Sequence, residues 1–67
     1  MPIVRIEMLT GRTREQKQQL AEAVTNDVAR IAKCSAESIQ IVFTEVKRED
    51  WATAGVLADA KAPAPTT

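Results

Sequence analysis

The segment from Ile39 to Val46 has apolar side chains on both of its faces, and this pattern constrains the fold more than any other. Alternate residues of a β-strand point to opposite sides of the sheet. Ile41 and Phe43 therefore point one way, whereas Val42 and Val46 point the other. Such a strand needs cover on both faces, but the 67-residue chain has one segment with helical periodicity. One helix covers one face, so we expect the other face to pack on another subunit.

The residues before this strand predict the rest of a β-α-β unit. Residues 2–9 alternate as a first strand does, with a fully apolar face and a mixed face. Thr13, followed by Gln16 three places later, fits a capping box, so we expect the helix to start at Thr13. Apolar residues recur at helical spacing to an end near Lys33 or Cys34. A strand, a helix and a strand in one small domain predict a right-handed crossover with parallel strands.

After the second strand, a charged turn leads into a stretch that predicts a short hairpin around Gly55. Residues 61–67 contain two prolines and no large apolar side chain, which predicts a flexible tail. We therefore expect an α+β fold, in which two parallel strands, one long helix and a short C-terminal hairpin form a subunit of an oligomer. Residues 1–60 would form the single domain.

The composition leaves oligomerisation as the way to stabilise so small a domain. Nineteen hydrophobic side chains are larger than alanine, and domains below roughly 70–80 residues usually need a disulfide, a metal or partner subunits. One cysteine and no histidine exclude an internal disulfide and a Cys/His zinc site within one chain. The zero net charge predicts no nucleic-acid partner. The sequence has no long apolar run and no signal sequence, which predicts no membrane association and a cytoplasmic location.

The absence of histidine restricts proton transfer to a shifted carboxylate, a lysine, the cysteine or the chain terminus. Removal of Met1 would expose the secondary amine of Pro2, and burial near a cation would lower the pKa of that amine toward neutrality. Taken alone, a proline that opens an edge strand is unremarkable. Likewise, Arg12 alone indicates a solvated turn, Gln40 a bond across a subunit contact, and Trp51 an interface or core anchor.

Taken together, these residues carry a family pattern. The start MPIVRIEMLTGRTREQK, the strand ending IVFTEV and Trp51 six residues after Glu45 resemble the 4-oxalocrotonate tautomerase family, also called 2-hydroxymuconate tautomerases. The resemblance extends from Met1 to about Asp59. Its most specific parts are Pro2 directly after Met1, the GRT-x-EQK segment and the TE pair that ends with Glu45.

The resemblance implies a cofactor-free keto–enol tautomerase for a small 2-hydroxy-dienoate or 2-oxo acid. It implies Pro2 as the general base and Arg12 as the residue that binds a substrate carboxylate, with Leu9, Gln40 and Trp51 as substrate-binding residues. It also implies an assembly of paired subunits, most often a homohexamer built as a trimer of dimers. The partners would then be a small carboxylate substrate and further copies of the chain.

Gln40 departs from the pattern of the resembled family. The best-known members have an arginine there, contributed from a neighbouring subunit, that polarises the substrate carbonyl. A neutral donor in place of a preorganised cation forfeits on the order of 10²-fold in rate. Either Arg5, Arg48 or another cation fills the gap, or the substrate has one carboxylate or oxyanion fewer.

Two other functions stay open on the sequence alone. One is another reaction of the same superfamily: the hydration, dehalogenation or decarboxylation of an acrylate or keto acid that Arg12 binds. The other is a non-catalytic oligomeric binding module that retained the fold. The missing arginine at Gln40 lends support to this non-catalytic alternative.

Overall fold

The computed structural model describes residues 2–60 and shows a β-α-β unit followed by a small hairpin. Strand β1 spans Ile3–Leu9, helix α1 spans Arg14–Ala32, and strand β2 spans Gln40–Val46. Strands β3, Ala52–Thr53, and β4, Val56–Leu57, form the hairpin. The predicted α+β architecture is confirmed, whereas the tail predicted for residues 61–67 lies outside the described residues.

Strands β1 and β2 are parallel, as the strand–helix–strand order predicts. Their register pairs Ile3 with Gln40 and Leu9 with Val46. Two further backbone hydrogen bonds extend the ladder at both ends. Gln40 N–H donates to the carbonyl of Pro2 at 3.0 Å, and Thr10 N–H donates to that of Val46 at 3.0 Å. Backbone hydrogen bonds therefore hold the two strands together at both ends of the sheet.

The capping box that the sequence predicts is present at the start of α1. The Thr13 hydroxyl accepts from Gln16 N–H at 3.1 Å, and the Gln16 side-chain oxygen accepts from Thr13 N–H at 2.9 Å. These bonds satisfy two of the amide donors that a helix start leaves unpaired. Gly11, with φ of 131°, makes the turn that leads from β1 into this cap. At the other end, Lys33 takes the left-handed conformation that ends the helix.

The β3–β4 hairpin turns through Ala54 and Gly55, whose φ angles are 55° and 82°. Positive φ at both central residues is typical of type I′ turns, whose twist matches that of the flanking strands. Glycine takes this conformation freely, whereas alanine does so at a cost of about 1 kcal/mol. The hairpin around Gly55 is confirmed, and its first central residue is strained.

One face of the two-stranded sheet carries α1, and the other face is open. Among residues 2–60 no side chain is fully buried. On the open face Ile3 is 46% exposed and Val42 is 39% exposed. No helix in this part of the chain combines the length and apolar character needed to cross a bilayer. A single subunit thus leaves apolar surface on the face for which the sequence predicts a partner.

Candidate active site

The predicted site residues lie at two opposite ends of the sheet. Pro2 and Gln40 lie where the two parallel strands begin, joined by the backbone hydrogen bond from Gln40 N–H to the Pro2 carbonyl. Leu9 is the last residue of β1, and Arg12 lies in the turn that follows. Trp51 comes after the corresponding end of β2, beyond a 3₁₀ turn formed by residues 48–50.

The distance between these two groups of residues decides whether one chain can form the site alone. Seven residue steps separate Pro2 from Leu9, which corresponds to about 23 Å at the rise of a strand. That distance is far beyond the reach of an arginine side chain, so Pro2 and Arg12 of one chain cannot act on one small substrate. The structure joins the backbones of Pro2 and Gln40 and keeps both residues apart from Leu9, Arg12 and Trp51.

At the beginning of the strands, Pro2 is half-buried, so it is partly shielded from solvent and still accessible from the surface. The side chain of Gln40 is exposed and lies on the open face of the sheet, together with Ile3 and Val42. A neutral amide there can donate a hydrogen bond to a carbonyl oxygen without supplying a charge.

At the other end, a cleft of about 390 Å³ opens between β1 and the first turns of α1. Its lining combines two cationic side chains with amides and apolar groups: Met8, Arg12, Gln16, Lys17, Gln19 and Leu20. The Arg12 side chain is exposed and forms no ion pair with any residue from 2 to 60. Such a free guanidinium can bind a carboxylate through two parallel hydrogen bonds, because its paired donors match the two carboxylate oxygens.

Sequence reasoning gave no role to two charged residues at this cleft: Lys17, which lines it, and Glu45, which pairs with Lys17. Lys17 Nζ lies 2.5 Å from Glu45 Oε2, and the two side chains are 31% and 30% exposed. Glu45 stands opposite Met8 in the sheet, on the face that α1 covers. The sequence does hold a signal, because a glutamate two places beyond Phe43 continues an apolar face and needs a partner there. Its partner is 28 positions away, which only the fold reveals.

Within residues 2–60, no group of three or more histidine, cysteine or carboxylate side chains is placed to hold a metal ion.

Comparison with known proteins identifies the family. The sequence profile of the family described as "Tautomerase enzyme" matches residues 2–61. The chain belongs to the tautomerase family. It is accordingly an isomerase of the tautomerase type, as the resemblance predicts.

Individual relatives of this tautomerase agree in sequence and in fold. It is 42% identical over 55 residues to a 2-hydroxymuconate tautomerase from Bacillus subtilis, covering 82% of this chain and 89% of that protein. A crystal structure of a 4-oxalocrotonate tautomerase homologue superimposes with a TM-score of 0.88 at 30% identity, covering 94% of this chain and all of the other. A heterohexameric 4-oxalocrotonate tautomerase from Chloroflexus aurantiacus gives 0.84 at 30% identity, covering 90% and 97%.

Proposed function

We propose that this tautomerase converts the enol and keto forms of a small 2-hydroxy-dienoate or 2-oxo acid, with the amine of Pro2 as general base and without a cofactor. The observation that carries the proposal is the position of Pro2. It opens the first strand, half-buried, in a chain without histidine, and family membership supplies the reaction class. Removal of Met1 is part of the proposal, because only a free chain terminus makes Pro2 N basic.

In the proposed reaction, Pro2 N takes the proton from the enol hydroxyl, and the electron pair of that O–H bond forms the carbonyl. The carbon–carbon π electrons shift along the diene, and the terminal carbon receives a proton from the protonated amine. Proton transfer by a positioned base typically contributes 10²–10⁴-fold in rate. Arg12 holds the substrate carboxylate, and Gln40 donates a hydrogen bond to the carbonyl oxygen. Leu9 and Trp51 provide the apolar wall.

This assignment requires residues from more than one subunit, because about 23 Å of strand separates Pro2 from Leu9 within a chain. Two copies arranged antiparallel would place the Arg12 end of one chain beside the Pro2 end of the other. We propose a homohexamer of such pairs. Three observations support this hexamer: the open sheet face, the lack of any fully buried side chain in residues 2–60, and the heterohexameric Chloroflexus relative. The cytoplasmic location stays a prediction.

The test is the substitution Pro2→Ala, which exchanges a secondary amine for a primary one. Turnover of 2-hydroxymuconate and phenylenolpyruvate should fall by about 10²-fold, while the sedimentation coefficient is unchanged. Pro63→Ala makes the same substitution elsewhere in the chain and should have no effect. Intact mass of each protein must first show a chain that begins at residue 2. Full activity of Pro2→Ala, or activity with Met1 retained, would remove the proline from the mechanism.

A further inference from the structure

Arg5 is a cation on the open face of the sheet, and its own chain offers it no anion. On that face, Arg5 and Glu7 are the charged side chains of β1 and β2. The Arg5 side chain is exposed and forms no ion pair with any residue from 2 to 60, Glu7 included. The proposed hexamer covers this face, and a charge removed from water without a counter-charge is strongly unfavourable. Arg5 therefore needs an anion that residues 2–60 of its own chain do not supply.

The strand register places Arg5 next to Gln40. Arg5 pairs directly with Val42, which follows Gln40 by two positions on the same face of β2. Strand spacing and rise then put the Cα atoms of Arg5 and Gln40 about 8 Å apart, a distance that a long arginine side chain can span. Both residues belong to one subunit and to one hydrogen-bonded pair of strands. Any assembly that brings Gln40 to an active site therefore brings Arg5 to the same site.

We propose that Arg5 supplies a positive charge at the substrate carbonyl oxygen to which Gln40 donates a hydrogen bond. The inference rests on the proposed function and adds a catalytic residue to it. When Pro2 N takes the proton from the enol hydroxyl, negative charge builds on that oxygen. A cation and an amide together stabilise this charge more than the amide alone, above all in a site that excludes water. The anion that Arg5 lacks within its own chain is then the enolate oxygen of the substrate.

The experiment measures kcat and KM for phenylenolpyruvate and 2-hydroxymuconate with the assembled wild-type protein and with Arg5→Gln. This substitution removes the charge and keeps an amide donor. We expect kcat to fall by about 10²-fold for both substrates with little change in KM, because the oxygen is common to both and its charge develops in the transition state. Arg5→Lys keeps the charge and should retain kcat within about tenfold of wild type.

Matched variants and a stability measurement separate this role from a general effect of charge. Arg48→Gln makes the same substitution in the 3₁₀ turn beyond the opposite end of β2 and should leave kcat unchanged. Glu7→Gln removes the other charge of the open face and should also leave kcat unchanged. The melting temperature of Arg5→Gln should equal or exceed that of wild type, because the lost charge has no anionic partner in residues 2–60.

Three results would overturn the inference. A kcat of Arg5→Gln near that of wild type would remove this charge from the mechanism. An equal loss in Arg48→Gln would show that the position of the charge does not matter. An Arg5→Gln protein that melts earlier or fails to assemble would assign Arg5 to a structural pairing between subunits. Each of these results leaves the proline mechanism standing, since Pro2→Ala tests that mechanism with Arg5 in place, whereas a wild type that turns over neither enol would refute both.

Discussion

A charge placed on the open face of the sheet should break the assembly, and Val42 is the position to change. Complete burial of a valine side chain contributes about 1.5–3 kcal/mol. Since Val42 is still 39% exposed in the single subunit, covering that remainder corresponds to roughly 1 kcal/mol per copy. Val42→Asp forfeits this gain and places an ionised carboxylate in the interface, at a cost of several kcal/mol per subunit.

We expect Val42→Asp to sediment as a monomer or dimer at micromolar concentration, with reduced helical ellipticity and no tautomerase activity. Activity should be lost together with assembly, because the introduced charge separates the Pro2 end of one chain from the Arg12 end of its neighbour. Ala23→Asp puts the same charge on an exposed position of α1 and should leave the sedimentation coefficient unchanged. A fully active, fully assembled Val42→Asp protein would show that the open face is not an interface.

Single substitutions at Gln40 and at Ala54 give two further predictions. Gln40→Arg places a cation at the beginning of β2, on the open face of the sheet. The kcat/KM for the dicarboxylate 2-hydroxymuconate should then rise about tenfold or more relative to phenylenolpyruvate, read as a difference in transition-state free energy. Equal changes for both substrates would contradict this. Ala54→Asn gives the hairpin an Asn-Gly turn, and asparagine tolerates positive φ better than alanine does. The free energy of unfolding, measured by thermal unfolding, should rise by about 0.5–1 kcal/mol. A lower melting temperature would refute the strain assigned to Ala54.

Local sequence signals predicted most of the fold. Thr13 and Gln16 indicated the helix start because a capping box needs only residues three apart, and the structure contains both of its hydrogen bonds. The parallel pairing of β1 and β2 followed from the order of elements, since a crossover helix leaves few other arrangements. The strain at Ala54 was not predicted, because a small residue beside Gly55 gives no sign of its own backbone angles.

The candidate site was harder to predict, since its parts are far apart along each chain and in each subunit. Pro2 and Arg12 were recognised by resemblance, which says nothing of distance. Only the strand length shows that one subunit separates them by more than the span of a small substrate. The Lys17–Glu45 pair was missed for a related reason. The resemblance includes both residues in its motif, but only the packing of the helix on the sheet shows that they pair with each other.

The strand register also separates the two cations that could compensate for Gln40. Arg5 pairs with Val42, so it lies on the same open face as Gln40 and two positions along the neighbouring strand. Strand spacing and rise place their Cα atoms about 8 Å apart, within the reach of an arginine side chain. Arg48 follows the opposite end of β2, in the 3₁₀ turn before Trp51. The two cations therefore lie toward different ends of the sheet, and Arg5 is the candidate to compensate for Gln40.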